Sequence, residues 1–467
     1  MTSGHRYTLL QLVAKGTAAV TILVLSSRNP PADVGGYVLG VVIASLFAAL
    51  IDFGGGRTAL RLCASGCPWS VVRSVVVSRC YLAVGVFAAG TIVALGPVVP
   101  GNGRLVALAL ATGGVMGLNG IAESVLLGRG RGGLAGLGNV CFNAVSLVAA
   151  LVVSGHESVT ELMLLATFTF GAVAGSSVYC FAVLQSSSSQ GSAAVDSGPN
   201  DQGHFGAALE RRNALVVGLL TMPGIMYFRL DLVLLGAMAT RPEVAYYGIA
   251  YRLYEVGLVL PQLLASARQP QVASTWGRPE AEPVRRGTFA LITIVAMGMA
   301  SAAALWLAWG LPLPIGDAFV EDTRRLLFLL APGLVGSSMQ LATSLYIFGA
   351  PSPQEAWRPL FVASAGAVLA GVTFIPVGYR LAGIAGVAVT QSLLDLVLAM
   401  IVTLVVLGRL RLPVPRICYE GCVVGGAALA GFALLRPASV VAAGLVVAAV
   451  AIFTSRWTDF RRAVATW

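Results

Sequence analysis

Lysine is all but absent: Lys15 is the only one among 30 basic residues, and the rest are arginine. Charge of either sign is scarce, at 11% of the 467 residues against 57% hydrophobic, where soluble domains carry about 25% charged residues. A chain so poor in charge cannot cover a soluble surface and reads as a polytopic membrane protein. Histidine is limited to His5, His156 and His204. None lies near the cysteine pairs Cys63/Cys67 and Cys418/Cys422, which are spaced to share a helical face, so a metal centre is not expected. Those four, with Cys80, Cys141 and Cys180, are expected to be free thiols. There is no GxxxxGK[ST] loop to cradle a nucleotide phosphate, which argues against ATP hydrolysis by the chain itself. The N-terminus lacks a small-residue cleavage site after a short apolar core, so its first helix is expected to be retained.

What the chain does contain is long apolar runs. A spanning helix needs about 20 apolar residues, and fourteen stretches qualify: 8–26, 36–53, 75–95, 105–127, 134–154, 161–184, 212–238, 244–266, 287–311, 325–349, 358–377, 383–408, 418–435 and 439–455. The fold class expected is therefore all-α, a membrane bundle. With the N-terminus inside, twenty of the basic residues fall in cytoplasmic segments and seven in outer loops, while Lys15, Arg229 and Arg252 lie within the membrane. That bias follows the positive-inside rule. It accounts for the net charge of +10 without nucleic acid, and it places both termini in the cytoplasm.

Residues 185–211, Ser/Gly-rich and polar over much of their length, break the run of short loops and read as a flexible cytoplasmic linker. They divide an N-terminal lobe of six helices (1–184) from a second lobe of six (212–408), with two extra helices and a tail in 409–467. The lobes echo each other. Asp33-Val34-Gly35-Gly36-Tyr37 opens the second span and Glu243-Val244-Ala245-Tyr246-Tyr247 the eighth, 210 residues later, each after a proline-containing turn. Parallel repeats of this kind occur in secondary transporters with the substrate site between them.

Charges inside such helices cost about 2.5–3.5 kcal/mol each on insertion scales, so each needs a partner, a water-filled cavity or a task. The stretch Tyr227–Gly257 holds four: Arg229 and Asp231 in the seventh span, Arg252 and Glu255 in the eighth. Arg252 and Glu255 share a helical face, whereas Arg229 and Asp231, two residues apart, point to different sides unless Pro223-Gly224 breaks the helix. An Asp231–Arg252 contact with Arg229 facing a central cavity is one expectation; a neutral cluster that locks two helices is the other. Lys15 either contacts an anionic substrate or snorkels to the cytoplasmic interface. Asp52 either caps a helix or meets Arg57. Glu123 with Asn119, and Asp395 with Gln391, form further polar pairs at helical spacing. A deep carboxylate, Asp395 above all, could take a coupling H⁺ or Na⁺. The substrate-binding candidates are thus Lys15, Arg229 and Arg252, and the ion-coupling or gating candidates Asp231, Glu255, Asp395, Glu123 and Asp52.

Several stretches resemble one family. PADVGGYVLG followed by LIDFGGGRTALR is similar to the second-helix region of Wzx-type polysaccharide flippases; FRLDLVLLG followed by EVAYYGIAYRLYEVGLVLPQ resembles their seventh and eighth helices. SLYIFGAPSPQ and IPVGYRLAGIAGVAVTQSL resemble their tenth-to-twelfth-helix region. The family belongs to the superfamily of MATE exporters and lipid II flippases. The resemblance implies a MATE/MurJ-like pair of six-helix lobes around a cationic cavity, a bacterial cytoplasmic-membrane location, and alternating access. It further implies transfer of an undecaprenyl-pyrophosphate-linked oligosaccharide to the outer leaflet, driven by an ion gradient, with no cofactor beyond Na⁺ or H⁺. A monomer is expected, with other polysaccharide-assembly membrane proteins as partners. The alternatives are a lipid II or multidrug exporter of the same superfamily and, from another class, a membrane glycan polymerase or ligase. The short outer connections leave such an enzyme little room for a catalytic site.

Overall fold

The structure is a computed structural model describing residues 3–64, 67, 69–95, 103–156, 159–188, 202–274, 315–349 and 353–409, with a few positions between 291 and 299. Twelve helices are followed here: α1 (Ser3–Arg28), α2 (Pro31–Asp52), α3 (Gly55–Ala64), α4 (Trp69–Leu95), α5 (Gly103–Gly128), α6 (Gly132–Val153), α7 (Glu161–Ser188), α8 (Gln202–Met238), α9 (Arg241–Ser274), α10 (Asp317–Leu330), α11 (Gly333–Gly349) and α12 (Pro353–Arg409). No strand occurs among the described residues. Among the described residues, seven helices (α1, α2, α4 to α7 and α12) are long and apolar enough to cross a membrane, eight spans if the bent pair α10–α11 counts as one. The charged pair α8 and α9 falls outside that set. The spans expected at 418–435 and 439–455, and most of 287–311, lie outside the described residues.

The chain divides into two compact units, Met1–Gly236 with Thr240–Ala245, and Ala237–Ala239 with Tyr246–Trp467. In the first, α5 is central and packs on α2, α3, α4, α6 and α7, while α1 lies along α6. Glycine permits the closest approach: a side-chain carbon on Gly113 would sit 2.6 Å from the Ala44 carbonyl oxygen, and one on Gly117 2.8 Å from Cβ of Ile51. These two, one helical turn apart, are the small-residue seam along which α5 meets α2. The outer face of the unit is apolar, with Tyr81 75% and Ile92 73% exposed. Large apolar side chains turned outward in this density suit a lipid solvent rather than water.

α7 runs through Ser188, and α8 begins at Gln202; most of the stretch between them lies outside the described residues. α8 also carries Pro223 without ending.

In the second unit, α10 and α11 both pack on α12. The single span expected at 325–349 is a broken one. Ala331-Pro332 interrupts it, and the two pieces meet at 48°, since proline lacks the N–H the helix needs at that point. α12 is two arms rather than one rod. Ala382 (φ −145°) and Gly383 (φ +60°) are non-helical, and a side chain on Gly386 would strike the carbonyl of Gly378. Eight residues of straight helix would hold those two about 12 Å apart, so the chain folds back, giving the two spans expected at 358–377 and 383–408.

The starts of α2 and α9 are alike. Each has a proline in its first turn and an acid at its third position, Asp33 and Glu243. Val34 and Val244 are then buried, as are Tyr37 and Tyr247. At α9 the acid reaches back over the helix start, its Oε2 accepting from the Thr240 N–H and hydroxyl, each at 2.8 Å.

Candidate functional site

One deeply enclosed polar cluster centres on Asp395, only 2% exposed. It sits on the second arm of α12. Its Oδ2 accepts from the Tyr254 hydroxyl of α9 at 2.9 Å, and its Oδ1 from Gln391 Nε2 at 3.2 Å. The Tyr254 oxygen lies 2.7 Å from Ser337 Oγ of α11. Gln340 donates to the Asp395 carbonyl at 3.1 Å, and Ser392 to the Leu329 carbonyl at 2.6 Å, beside the α10–α11 break. Glycine makes the approach possible: a side-chain carbon on Gly336 would fall 2.6 Å from the Asp395 backbone. A buried carboxylate that accepts from the neutral donors Tyr254 and Gln391, with a helix break beside it, is suited chemically to exchange a proton or a small cation.

The structure thus brings Asp395 and Gln391 together at the spacing read from sequence. Tyr254 and Ser337 escaped that reading. The signal for Tyr254 was present as Tyr247, Tyr251 and Tyr254, one face of α9, whose rings follow at 6.2 and 5.5 Å. Ser337 could be found only once the break in the tenth span was known.

A second cluster lies in the first unit. Glu123 of α5 accepts, all at Oε1, from Tyr7 Oη (2.8 Å) and Gln11 Nε2 (2.9 Å) of α1 and from Asn139 Nδ2 (2.7 Å) of α6. Asn119 does not join it. It faces α7, donating to the Ala172 carbonyl at 3.0 Å and accepting from Ser176 at 2.7 Å. The polar pair expected on α5 is thus split between two neighbours. Lys15 is exposed on α1.

Asp52 acts as a cap: its Oδ1 accepts from the Gly56 N–H at 2.6 Å, at the start of α3. Arg252 donates to Glu255 at 2.7 Å, and both side chains are about 28–29% exposed. Asp231 is fully buried and its Oδ1 accepts from the Leu232 N–H at 2.8 Å. Arg229 is half-buried, and neither it nor Asp231 is without further partners. Asp231 and Arg252 fall in different units, and the bond the structure gives Arg252 is to Glu255.

No family model and no curated protein matches the sequence. Solved structures match in fold. A multidrug resistance MATE family transporter of the MOP superfamily, outward-facing, has a TM-score of 0.63 at 16% identity, over 89% of this chain and 96% of that one. The lipid II flippase MurJ, in an inward closed conformation, has a TM-score of 0.63 at 10% identity, over 97% of this chain and 99% of that one. An inward-facing MATE structure gives 0.60 at 16% identity, over 89% and 96% of the two chains. The chain is an all-helical, multi-pass membrane protein with a MATE/MurJ-like fold.

Proposed function

We propose that the protein is a flippase that carries an undecaprenyl-pyrophosphate-linked oligosaccharide from the inner to the outer leaflet of a bacterial cytoplasmic membrane by alternating access. What supports the reading is the pairing of this fold with the cations read from the sequence within the first, seventh and eighth expected spans. A likeness that spans 97% of the chain to a lipid II flippase supports lipid-linked cargo, and Lys15, Arg229 and Arg252 supply positive charge for a diphosphate. Arg252 is bound to Glu255, so in this proposal cargo phosphate competes with that carboxylate. Asp395 is the proposed carrier of the coupling H⁺ or Na⁺, with Asp231, Glu255, Glu123 and Asp52 in gating or supporting roles. The protein acts as a monomer and not as an enzyme.

Depletion in the native host tests this. The expected result is lipid-linked oligosaccharide trapped on the cytoplasmic face, inaccessible to an external glycan probe. A glycan polymerase or ligase would leave it displayed outside. The fold likeness to a multidrug transporter supports a second reading, drug export, and drug efflux from proteoliposomes without glycolipid transfer would replace the first reading with it.

A further inference from the structure

The α10–α11 break and Asp395 are wired together by hydrogen bonds, all of them inside the second unit. At the break Pro332 brings no N–H, and the last carbonyls of α10 lose their helical partners. One of these, Leu329, accepts instead from the Ser392 hydroxyl at 2.6 Å. Ser392 stands three residues before Asp395, on the same face of α12. Just past the break, α11 is held twice more. Ser337 Oγ lies 2.7 Å from the Tyr254 hydroxyl, which donates to Asp395 Oδ2 at 2.9 Å. Gln340 donates to the Asp395 carbonyl at 3.1 Å. The fit is close: a side-chain carbon on Gly333 would sit 3.1 Å from Oδ2, and one on Gly336 2.6 Å from the Asp395 backbone.

One atom in this cluster is left over. Gln391 is 1% exposed; its Nε2 donates to Asp395 Oδ1 at 3.2 Å, while its Oε1 is buried with no hydrogen-bond partner among the described residues. A buried acceptor without a donor calls for an explanation. Oε1 and Nε2 share one carbon, so a turn of the amide presents Oε1 to Asp395 in place of Nε2. An ionised carboxylate only accepts and gives that oxygen nothing, whereas a protonated one donates. The vacant acceptor therefore matches a hydrogen on Oδ1. A sodium ion fits less well. A hard cation of similar size, Ca²⁺, takes about six to eight oxygens at roughly 2.3–2.6 Å. Here both carboxylate oxygens already meet hydrogens, from Tyr254 and Gln391, and the contacts at Gly333 and Gly336 close the flank.

We propose that Asp395 takes its coupling ion as H⁺, and that this proton sets the angle of the α10–α11 break. The inference rests on the reading of Asp395 as the coupling site. A proton from water joins Oδ1 and neutralises the carboxylate, and the Gln391 amide turns to accept from it. The Tyr254 bond to Oδ2 drops from charge-assisted to neutral, roughly half as strong. The Tyr254 hydroxyl can then donate to Ser337 instead, so the tie from α11 to α12 loosens and α11 swings about Pro332. Loss of the proton restores the tie. The other ionisable groups around the carboxyl are known among the described residues. α9 brings Tyr254 and, 5.5 Å from it, Tyr251, while Arg252 and Glu255 pair with each other. α10 has Arg324 and Arg325 a turn before Leu329, and α11 has none over residues 333–343. On α12, residues 383–408 hold no other acid or base, and Tyr379 and Arg380 stand at the fold-back.

Hydrogen exchange of the full chain in detergent tests this, read by mass spectrometry in potassium buffers at mildly acid and mildly alkaline pH, with labelling times scaled for intrinsic exchange. Peptides covering Leu329–Gly336 should exchange about threefold faster in acid. Asp395→Asn, which copies the neutral carboxyl, should exchange at that fast rate in both buffers. Ser392→Ala should speed exchange at the break in both buffers yet keep the pH response. In infrared difference spectra between the buffers, Asp395→Asn should lack one protonated-carboxyl band. Gln391→Met should move that band to higher wavenumber, because the O–H has lost its acceptor. Equal exchange by wild type in the two buffers, an undiminished pH response in Asp395→Asn, or no missing band overturns the proposal. So does a sodium effect on exchange at fixed pH that Asp395→Asn abolishes, which would assign the site to Na⁺. If Asp395→Asn does not fold, as judged by thermal melting, the other two variants decide: an unchanged break in Ser392→Ala or an unmoved band in Gln391→Met overturns it. None of these measurements uses transport. Loss of transport in Asp395→Asn, with a wild-type break that ignores pH, would leave the coupling role standing and sink this switch alone.

Discussion

Asp395 is where chemistry and structure can be separated most cleanly. Asparagine matches aspartate in shape and keeps an oxygen for the Tyr254 hydroxyl, now 2.9 Å from Oδ2, but cannot hold a coupling charge. Asp395→Asn is therefore expected to melt within a few degrees of wild type while losing gradient-driven transport in proteoliposomes by at least tenfold. Transport at the wild-type rate would remove it as the coupling residue. Tyr254→Phe should instead lower stability, because it leaves Asp395 and Ser337 without a shared hydroxyl; an unsatisfied buried polar group costs about 1–3 kcal/mol. Glu123 gives a contrasting test, since three donors converge on its Oε1. Glu123→Gln keeps an acceptor and should melt close to wild type. Glu123→Ala strands Tyr7, Gln11 and Asn139 and should melt well below it. A reverse order in the two melting curves would show that the charge, not the acceptor, holds α1, α5 and α6 together. Residue spacing made Asp395 and Gln391 legible as a pair because both lie on one arm of one helix. Tyr7, Gln11 and Asn139 were not legible as Glu123's partners, because the contact order that joins α1, α5 and α6 is a tertiary fact with no local trace in the sequence.

At the level of elements, the apolar runs mark the helices well but say little about where they bend. Proline alone does not decide: Pro223 sits inside a continuous α8, whereas Pro332 accompanies a 48° break. The difference lies in the surroundings. Gly333 follows Pro332, and a side-chain carbon on that glycine would sit 3.1 Å from Asp395 Oδ2, so the break is held open by what packs against it. Glycine carries the same lesson in α5. Gly113 and Gly114 are adjacent and indistinguishable by composition, yet a methyl on Gly113 would overlap the Ala44 carbonyl and Phe47, while one on Gly114 meets nothing within 4 Å. Gly113→Ala should therefore destabilise by about 1–3 kcal/mol, the usual cost of overpacking. Gly114→Ala should be neutral or slightly stabilising through helix propensity. Thermal melts of the two variants in one detergent check this, and equal shifts would mean that the α2–α5 seam is not tight.

At the scale of the molecule, the fold class was legible because two crude quantities, charge content and the length of apolar runs, suffice to require a helical membrane bundle. Orientation rests on a subtler quantity, the arginine bias across many short loops, and it can be tested apart from any substrate. The connection after α5, Arg129-Gly130-Arg131, belongs to the arginine-rich set; the connection after α6, which contains the exposed His156, belongs to the other. These two loops are separated by the single span α6, so they must lie on opposite faces of the membrane. In a chain whose seven native cysteines are replaced, His156→Cys should react with a membrane-impermeant maleimide in intact cells, and Arg131→Cys only after permeabilisation. Reaction of both in intact cells would mean that α6 does not cross. The reverse pattern would turn the whole bundle over, placing Asp52, Arg57 and the α2–α3 turn on the outer face. On the flippase proposal, cargo would then meet the arginine-rich loops on leaving rather than on entering. The positive-inside rule makes that reversal unfavourable, because each arginine translocated outward works against the bias set by all the others. The expected orientation therefore rests on the loops as a set, and no single arginine substitution is expected to change the labelling of either cysteine.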